Sequence, residues 1–365
     1  MSSLSIGIVG LPNVGKSTLF NAITHASVDA HNYPFCTIEP NVGIVPIPDP
    51  RLSVLSKISG THTLVYATIQ FTDIAGLVKG ASKGEGLGNK FLSNIRDTTA
   101  IAHVVRCFDD PNIVHVNGTP NPIDDIEIIH LELIYSDLEL VEKLWEAQSK
   151  KAKTQNKEEL KKLELFEKIR DGLGHNKAIR HLDLSHEEMD LLRGYSFLTA
   201  KKVIYVANID EASIGQSNPL AQEVQVYAHR HGDAYVELCS KLESEIALLP
   251  EEDRSLFLEE LGLADSGLGQ LSRGCFQLLG LQTYLTTGVK ETRAWTIRQG
   301  DKAPQAAGAI HSDFEKGFIR ANIVSYTDFV ACGGLKFAKE KGLVRQEGKE
   351  YVMQEGDIVE FLFNV

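Results

Sequence analysis

Gly10-Leu11-Pro12-Asn13-Val14-Gly15-Lys16-Ser17 has the residue types and the spacing of a phosphate loop, G-x-x-x-x-G-K-[ST]. Glycines at its ends let backbone N–H groups turn toward phosphate oxygens. Lys16 offers a point charge to the β- and γ-phosphates, and Ser17 a hydroxyl to Mg²⁺. A helix starting here adds the partial positive charge of its N-terminus. An apolar run precedes the loop and a helical stretch follows it, a context that an ordinary glycine turn does not explain.

Asp73-Ile74-Ala75-Gly76 lies 57 residues after Lys16, directly behind a strand-like run. Asp73 reads as the carboxylate that holds Mg²⁺ through water, and Gly76 as an N–H for the γ-phosphate. Thr37, in the loop before the second strand, is placed to coordinate Mg²⁺ when a triphosphate binds; the alternative is a plain loop threonine. Leu77 follows Gly76 where Ras-type GTPases carry a water-orienting glutamine. Leucine cannot polarise water, so hydrolysis is slow or another group acts. His115, in the polar segment 109–121, is the titratable candidate for a catalytic role beside Lys16. The competing reading is a solvent-exposed loop histidine. Asn13 could hold a monovalent cation such as K⁺ near the phosphates. Cys36, beside Thr37, could act as a redox-sensitive thiol or simply as a small hydrophobe.

Asn208-Ile209-Asp210-Glu211 ends another strand, where GTPases carry N-K-x-D. That aspartate reads guanine by accepting from its N1–H and 2-amino group. Here Ile209 replaces the lysine and Glu211 the aspartate. Glutamate is longer and crowds guanine, whereas adenine needs no carboxylate there. Asn208 near the base, with the backbone N–H and C=O of Ile209 on the adenine edge, favours ATP by a modest factor. Ser240-Lys241 fits the base-flanking loop only loosely.

The elements that must position these groups alternate. Residues 5–9, 42–46, 67–71, 102–108, 202–207 and 234–238 read as strands, with helix from Ser17 to Thr24. Strands interleaved with helices predict a mainly parallel sheet in an α/β domain. Residues 126–170 interrupt it with two long antiparallel helices, an inserted arm over about 126–195. Its lysine-rich stretch, 150–162, is a solvated tip or a partner surface. From Leu281 short apolar runs between Gly, Asp and Lys predict a small β-rich domain. The expected division is therefore 1–280 and 281–365.

Composition narrows the partners. The chain has 365 residues, 43% hydrophobic and 24% charged, with a net charge of −12. That balance excludes a largely disordered chain. No stretch approaches the ~18 apolar residues of a membrane helix, and Ser2 excludes N-myristoylation. The N-terminus predicts no secretory signal. Five scattered cysteines without a CxxC pattern fit a reducing cytoplasm. Residues 281–365 hold 11 Lys+Arg and 11 Asp+Glu, so the acidic excess lies in the remainder. Contact with RNA must then come from local patches.

The blocks Gly10–Thr18, Asn32–Asn41, Asp73–Gly88 and Asn208–Glu211 resemble the YchF/Obg-like ATPase family. So do Pro304–Gly308 and His311–Arg320, and the similarity spans essentially the whole chain. It implies an Obg-type P-loop G domain with a helical coiled-coil arm and a C-terminal TGS domain of β-grasp type. It implies a Mg²⁺-dependent ATPase that binds the 70S ribosome and its large subunit, with rRNA contact, as a regulatory switch in translation or stress response. The expected protein is a cytoplasmic monomer away from membranes. Nucleotide contacts fall on Gly10, Asn13, Val14, Gly15, Lys16, Ser17, Thr18, Gly76, Asn208, Ile209 and Glu211. Metal contacts fall on Ser17, Thr37 and Asp73, and Leu77 is a family trait. The alternatives are an Obg-type GTPase, decided by base selectivity, and a nucleotide-gated binding protein with negligible turnover, decided by a rate.

Overall fold

Ser5–Val9 is a run of five fully covered residues, and it forms β1 near the middle of a parallel sheet. Strands covered on both faces read as continuous apolar runs, which is the pattern of β1, β5 and β6. The computed structural model describes residues 4–28, 41–74, 87–115, 118–153 and 156–364. In chain order these are β1, α1 (Lys16–Val28), β2 (Val42–Pro46), α2 (Pro50–Ser59), β3 (Leu64–Val65), β4 (Thr68–Asp73) and α3 (Leu87–Arg96). Then come β5 (Ala100–Arg106), α4 (Pro122–Ala152), α5 (Lys157–Gly174), α6 (His186–Leu192), β6 (Val203–Asn208), α7 (Pro219–His231) and β7 (Ala234–Leu238). Helices α8 (Ser240–Leu248), α9 (Glu251–Glu260) and α10 (Gly267–Leu278) follow, then β8 (Leu281–Thr287), β9 (Thr292–Arg298), α11 (Ala303–Ile310) and α12 (Ser312–Lys316). The chain ends with β10 (Phe318–Ser325), α13 (Tyr326–Cys332), α14 (Leu335–Glu340), β11 (Arg345–Glu347) and β12 (Asp357–Phe363). No helix among the described residues is long and apolar enough to cross a membrane.

Two compact units result, one drawing on residues 4–26, 41–43 and 70–274, the other on 44–69 and 275–364. The first contains the sheet of order β2-β4-β1-β5-β6-β7, with every recorded pairing parallel. The chain leaves this unit within β2 and returns within β4. The expected strands are present, shifted by one or two residues at some ends. Helices α8 to α10 had no counterpart in the sequence reading.

The arm is α4 and α5, of 31 and 18 residues. Gln148 donates to the Glu159 carbonyl at 2.9 Å and Trp145 to the Glu167 carboxylate at 3.2 Å, which sets the helices antiparallel. Ile134, Val141, Leu165, Phe166 and Ile169 form the core between them. At the arm's base the carboxylate of Asp137, fully buried, accepts from the backbone N–H groups of Leu198 and Thr199 at 3.0 and 2.7 Å.

The second unit has a sheet of order β11-β10-β12-β8-β9-β3. Helix α11 packs Ala303, Ala306 and Ala307 against Tyr284, Phe318, Ile323 and Val359. This is the expected β-grasp arrangement, with short helices added that the β-rich reading lacked. The expected single cut between 280 and 281 differs from the structure in two respects, of which the smaller is that the boundary falls between 274 and 275. Residues 44–69 belong with 275–364, because β3 pairs in parallel with β9 and covers its edge. Arg51 completes the attachment, donating to Asp49 at 2.7 Å, Glu355 at 2.6 Å and Thr283 at 3.0 Å. Asp49 also caps α2 by accepting from the Arg51 N–H, and Gly60 ends that helix in the left-handed conformation.

Candidate nucleotide site

The end of β1, the start of α1 and the end of β4 come together in the first unit. Lys16 Nζ lies 2.5 Å from Asp73 Oδ1, and both side chains are largely covered. The register Ile8 opposite Asp73 places the carboxylate beside the strand that leads into the phosphate loop. Asp73 N–H donates to the Asn41 carbonyl at 2.9 Å, which fixes the strand end. Ser17 is exposed on the first turn of α1, beside Thr18. A hydroxyl and a carboxylate are hard oxygen donors of the kind Mg²⁺ takes, so Ser17 and Asp73 fit that ion. Thr37 and Gly76, with Cys36 and Leu77, lie outside the described residues.

Asn208 builds the loop from below. Its side chain is buried, Nδ2 donates to the Val14 carbonyl at 2.8 Å, and Oδ1 accepts from the Ser240 N–H at 2.8 Å. One amide thus ties the phosphate loop to the start of α8. Gly15 has φ of 92°, and a Cβ there would run into the Asn208 amide. Only glycine satisfies both the conformation and the close approach.

The base side departs from the sequence reading at Ile209. The Asn208 oxygen and one of its two Nδ2 hydrogens serve the two loops. The Ile209 N–H, expected on the adenine edge, donates instead to the Leu238 carbonyl at 2.9 Å, as strand pairing continues past β6. Glu211 is exposed and lies 3.1 Å from Lys241 Nζ. The lysine that the sequence fitted only loosely is therefore the partner of the glutamate that replaces the guanine-reading aspartate.

His115 is not the solvent-exposed histidine that the sequence allowed. Its side chain is 2% exposed, and Nε2 lies 2.9 Å from Asp125 Oδ2. Burial pushes the Asp125 carboxyl up, while His115 and Arg106 pull it down. Asn13, with φ of 63°, donates through Nδ2 to the carbonyl of Val114 at 3.0 Å. The residue before His115 is thus joined to the phosphate loop, and the Asn13 side-chain oxygen is the group that could meet a cation. Sequence reasoning passed over Arg106 and Asp125. The available signals were an arginine closing an otherwise apolar strand and a second acid in the first turn of a capped helix.

Two family models match the chain: one described as a 50S ribosome-binding GTPase, over residues 5–164, and the YchF-type GTPase C-terminal family, described as a protein of unknown function, over 281–364. A ribosome-binding ATPase YchF from Escherichia coli O157:H7 is 53% identical, covering 98% of this chain and 99% of its own. Its namesake from Bacillus subtilis strain 168 is 52% identical with both chains fully covered. The solved YchF GTPase of Schizosaccharomyces pombe superposes with a TM-score of 0.90 at 38% identity, covering 99% of this chain and 98% of that one. Sharing half its residues with relatives matched from end to end, and its fold with a solved member, this chain belongs to the YchF family.

Proposed function

We propose that this chain is a Mg²⁺-dependent ATPase that binds ribosomes through its large subunit, with rRNA contact, and uses nucleotide turnover as a regulatory switch. The observation that carries the reading is the juxtaposition of Lys16 and Asp73 at the mouth of the phosphate loop. The E. coli and B. subtilis relatives' names support the nucleotide and the partner. Lys16 and the loop N–H groups bind and orient the triphosphate, and Ser17, Thr37 and Asp73 hold the ion. Mg²⁺ when bound neutralises charge on the transferred phosphoryl group. His115 is the group that acts on the attacking water in place of a glutamine, and Asn13 could bind K⁺. The protein works as a monomer in the cytoplasm, through a G domain with its arm and a TGS domain.

Glu211 supports adenine over guanine, because the carboxylate standing where GTPases read guanine is one methylene longer and lies beside Lys241. The GTPase alternative draws on the descriptions of the matching family and of the S. pombe protein. Co-sedimentation with ribosomes, with and without ATP, together with side-by-side hydrolysis of ATP and GTP, tests the proposal. Absence from the ribosomal pellet under both conditions overturns the partner, and negligible turnover of both nucleotides overturns the enzyme.

A further inference from the structure

Arg106 closes β5 and is 1% exposed. Its guanidinium donates to the carbonyls of Phe108 at 3.1 Å, Ile113 at 3.0 Å and Asp110 at 3.4 Å. It also lies 4.6 Å from the centre of the Phe108 ring. A buried cation satisfied by three carbonyls of one short segment dictates the path of that segment. The path ends with the Val114 carbonyl on Asn13 and the His115 ring turned inward onto Asp125.

Both members of that pair are 2% exposed. Asp125 Oδ1 has no hydrogen-bond partner among the described residues. A histidine so enclosed cannot exchange a proton with water at a nucleotide, because a general base must come within hydrogen-bond reach of the proton it takes. Asp125 sits in the first turn of α4, after the Asn121 cap and Pro122. The same helix runs for 31 residues, ~46 Å at ~1.5 Å per residue, to the lysine-rich tip. The carboxylate holding His115 and the far end of the arm therefore belong to one helix.

We infer that Asp125 is the positioning residue for His115, holding the imidazole withdrawn from the phosphate site until a partner bound at the arm tip displaces α4 and releases it. The inference rests on the role of His115 given under Proposed function. It requires two positions of α4 that the partner distinguishes, since a partner with equal affinity for both shifts nothing. The chemistry that recognises the tip is that of an RNA phosphate backbone, which lysine side chains neutralise.

The test uses the full chain and three readouts. In Asp125→Asn, ribosome-free kcat for ATP rises about tenfold, a barrier change of ~1.4 kcal/mol, with KM unchanged, and the further stimulation by ribosomes shrinks. Carbethoxylation of His115 by diethyl pyrocarbonate, followed by mass spectrometry, is slow in the wild type and fast in the variant. In the wild type it accelerates when ribosomes are added, a measurement that needs no folded variant. A fall or no change in ribosome-free kcat, undiminished stimulation, or wild-type modification of His115 indifferent to ribosomes overturns the inference. His115→Ala separates the two proposals. If it retains full turnover, the role of His115 itself fails. If it abolishes turnover while Asp125→Asn behaves as wild type, only the positioning role fails.

Discussion

Asn208 and Val14, 194 positions apart in sequence, are joined by a 2.8 Å hydrogen bond that makes the end of β6 part of the phosphate loop. The same amide accepts from Ser240, so its loss strands a buried carbonyl and a buried N–H together. Each such orphan costs about 1–3 kcal/mol. Asn208→Ala should therefore weaken binding at least tenfold, and by the same factor for ATP and GTP, because both of its recorded bonds support the loop. Calorimetric titration of both nucleotides checks this. A loss confined to one base would give Asn208 a base-reading role as well. Gly15→Ala, which drives a methyl into the same amide, should behave alike.

Base preference follows from Glu211. Guanine recognition by a fixed carboxylate rests on two hydrogen bonds, each worth roughly 1.5–3 kcal/mol when charge-assisted. With the longer Glu211 in place of the aspartate, tighter binding and faster Mg²⁺-dependent hydrolysis are expected for ATP, by a modest factor. Lys16→Ala should abolish turnover of both nucleotides. A GTP preference of about tenfold, ~1.4 kcal/mol, would instead establish the GTPase alternative.

Ribosome binding should weaken with salt, because lysine–phosphate contacts release counterions. Reversing Lys150, Lys151, Lys153, Lys161 and Lys162 to Glu should lower affinity and flatten the salt dependence. Lys161 lies 3.8 Å from Glu187 and Lys162 3.7 Å from Glu159. Exposed pairs of that kind are worth little and leave the cations available to RNA. Sedimentation across a salt series that shows neither effect would remove the arm tip from the interface.

A fourth expectation concerns acid stability. His130 is largely buried, neither ring nitrogen has a hydrogen-bond partner among the described residues, and burial lowers its pKa from 6.5 to about 4. Across the same small cavity, burial lowers His103 to about 3. A base whose folded pKa is depressed binds protons better when unfolded. Its contribution to stability is therefore intact above pH 6.5 and is lost as pH falls from there toward 4. Over pH 6.5 to 5 one such group removes about 2 kcal/mol. His130→Phe should recover that part of the loss, read as the difference between unfolding curves at the two pH values. Parallel pH dependence in wild type and variant would refute it.

The phosphate loop was legible because its chemistry is local: eight consecutive residues between a strand and a helix carry it. Asp73 was legible by its spacing to Lys16 and its place behind a strand. The His115–Asp125 pair was not, because nothing in a polar segment says that its histidine turns inward, and the arginine responsible acts through carbonyls nearby. The Ile209 N–H was misjudged for a related reason, since strand pairing past Asn208 depends on where Leu238 lies. The place of residues 44–69 was hidden most completely. Their partners begin more than 200 positions later, and no local pattern reports an edge that a distant strand will offer.

Arg51 waits for Thr283 and Glu355, which follow it by 232 and 304 residues. At ~5–20 residues per second, synthesis supplies the last of these about 15–60 s after Arg51 itself. Until residues 281–298 are made, the apolar face of α2, with Leu52 and Leu55, and the backbone edge of β3 have no cover from β8 and β9. β2 and β4, which flank this stretch, are meanwhile already available to the first sheet. The nascent chain thus carries this stretch uncovered while the strands on either side of it can already pair. A message truncated before codon 281 would leave α2 and the edge of β3 permanently uncovered, a sticky surface that quality control can recognise.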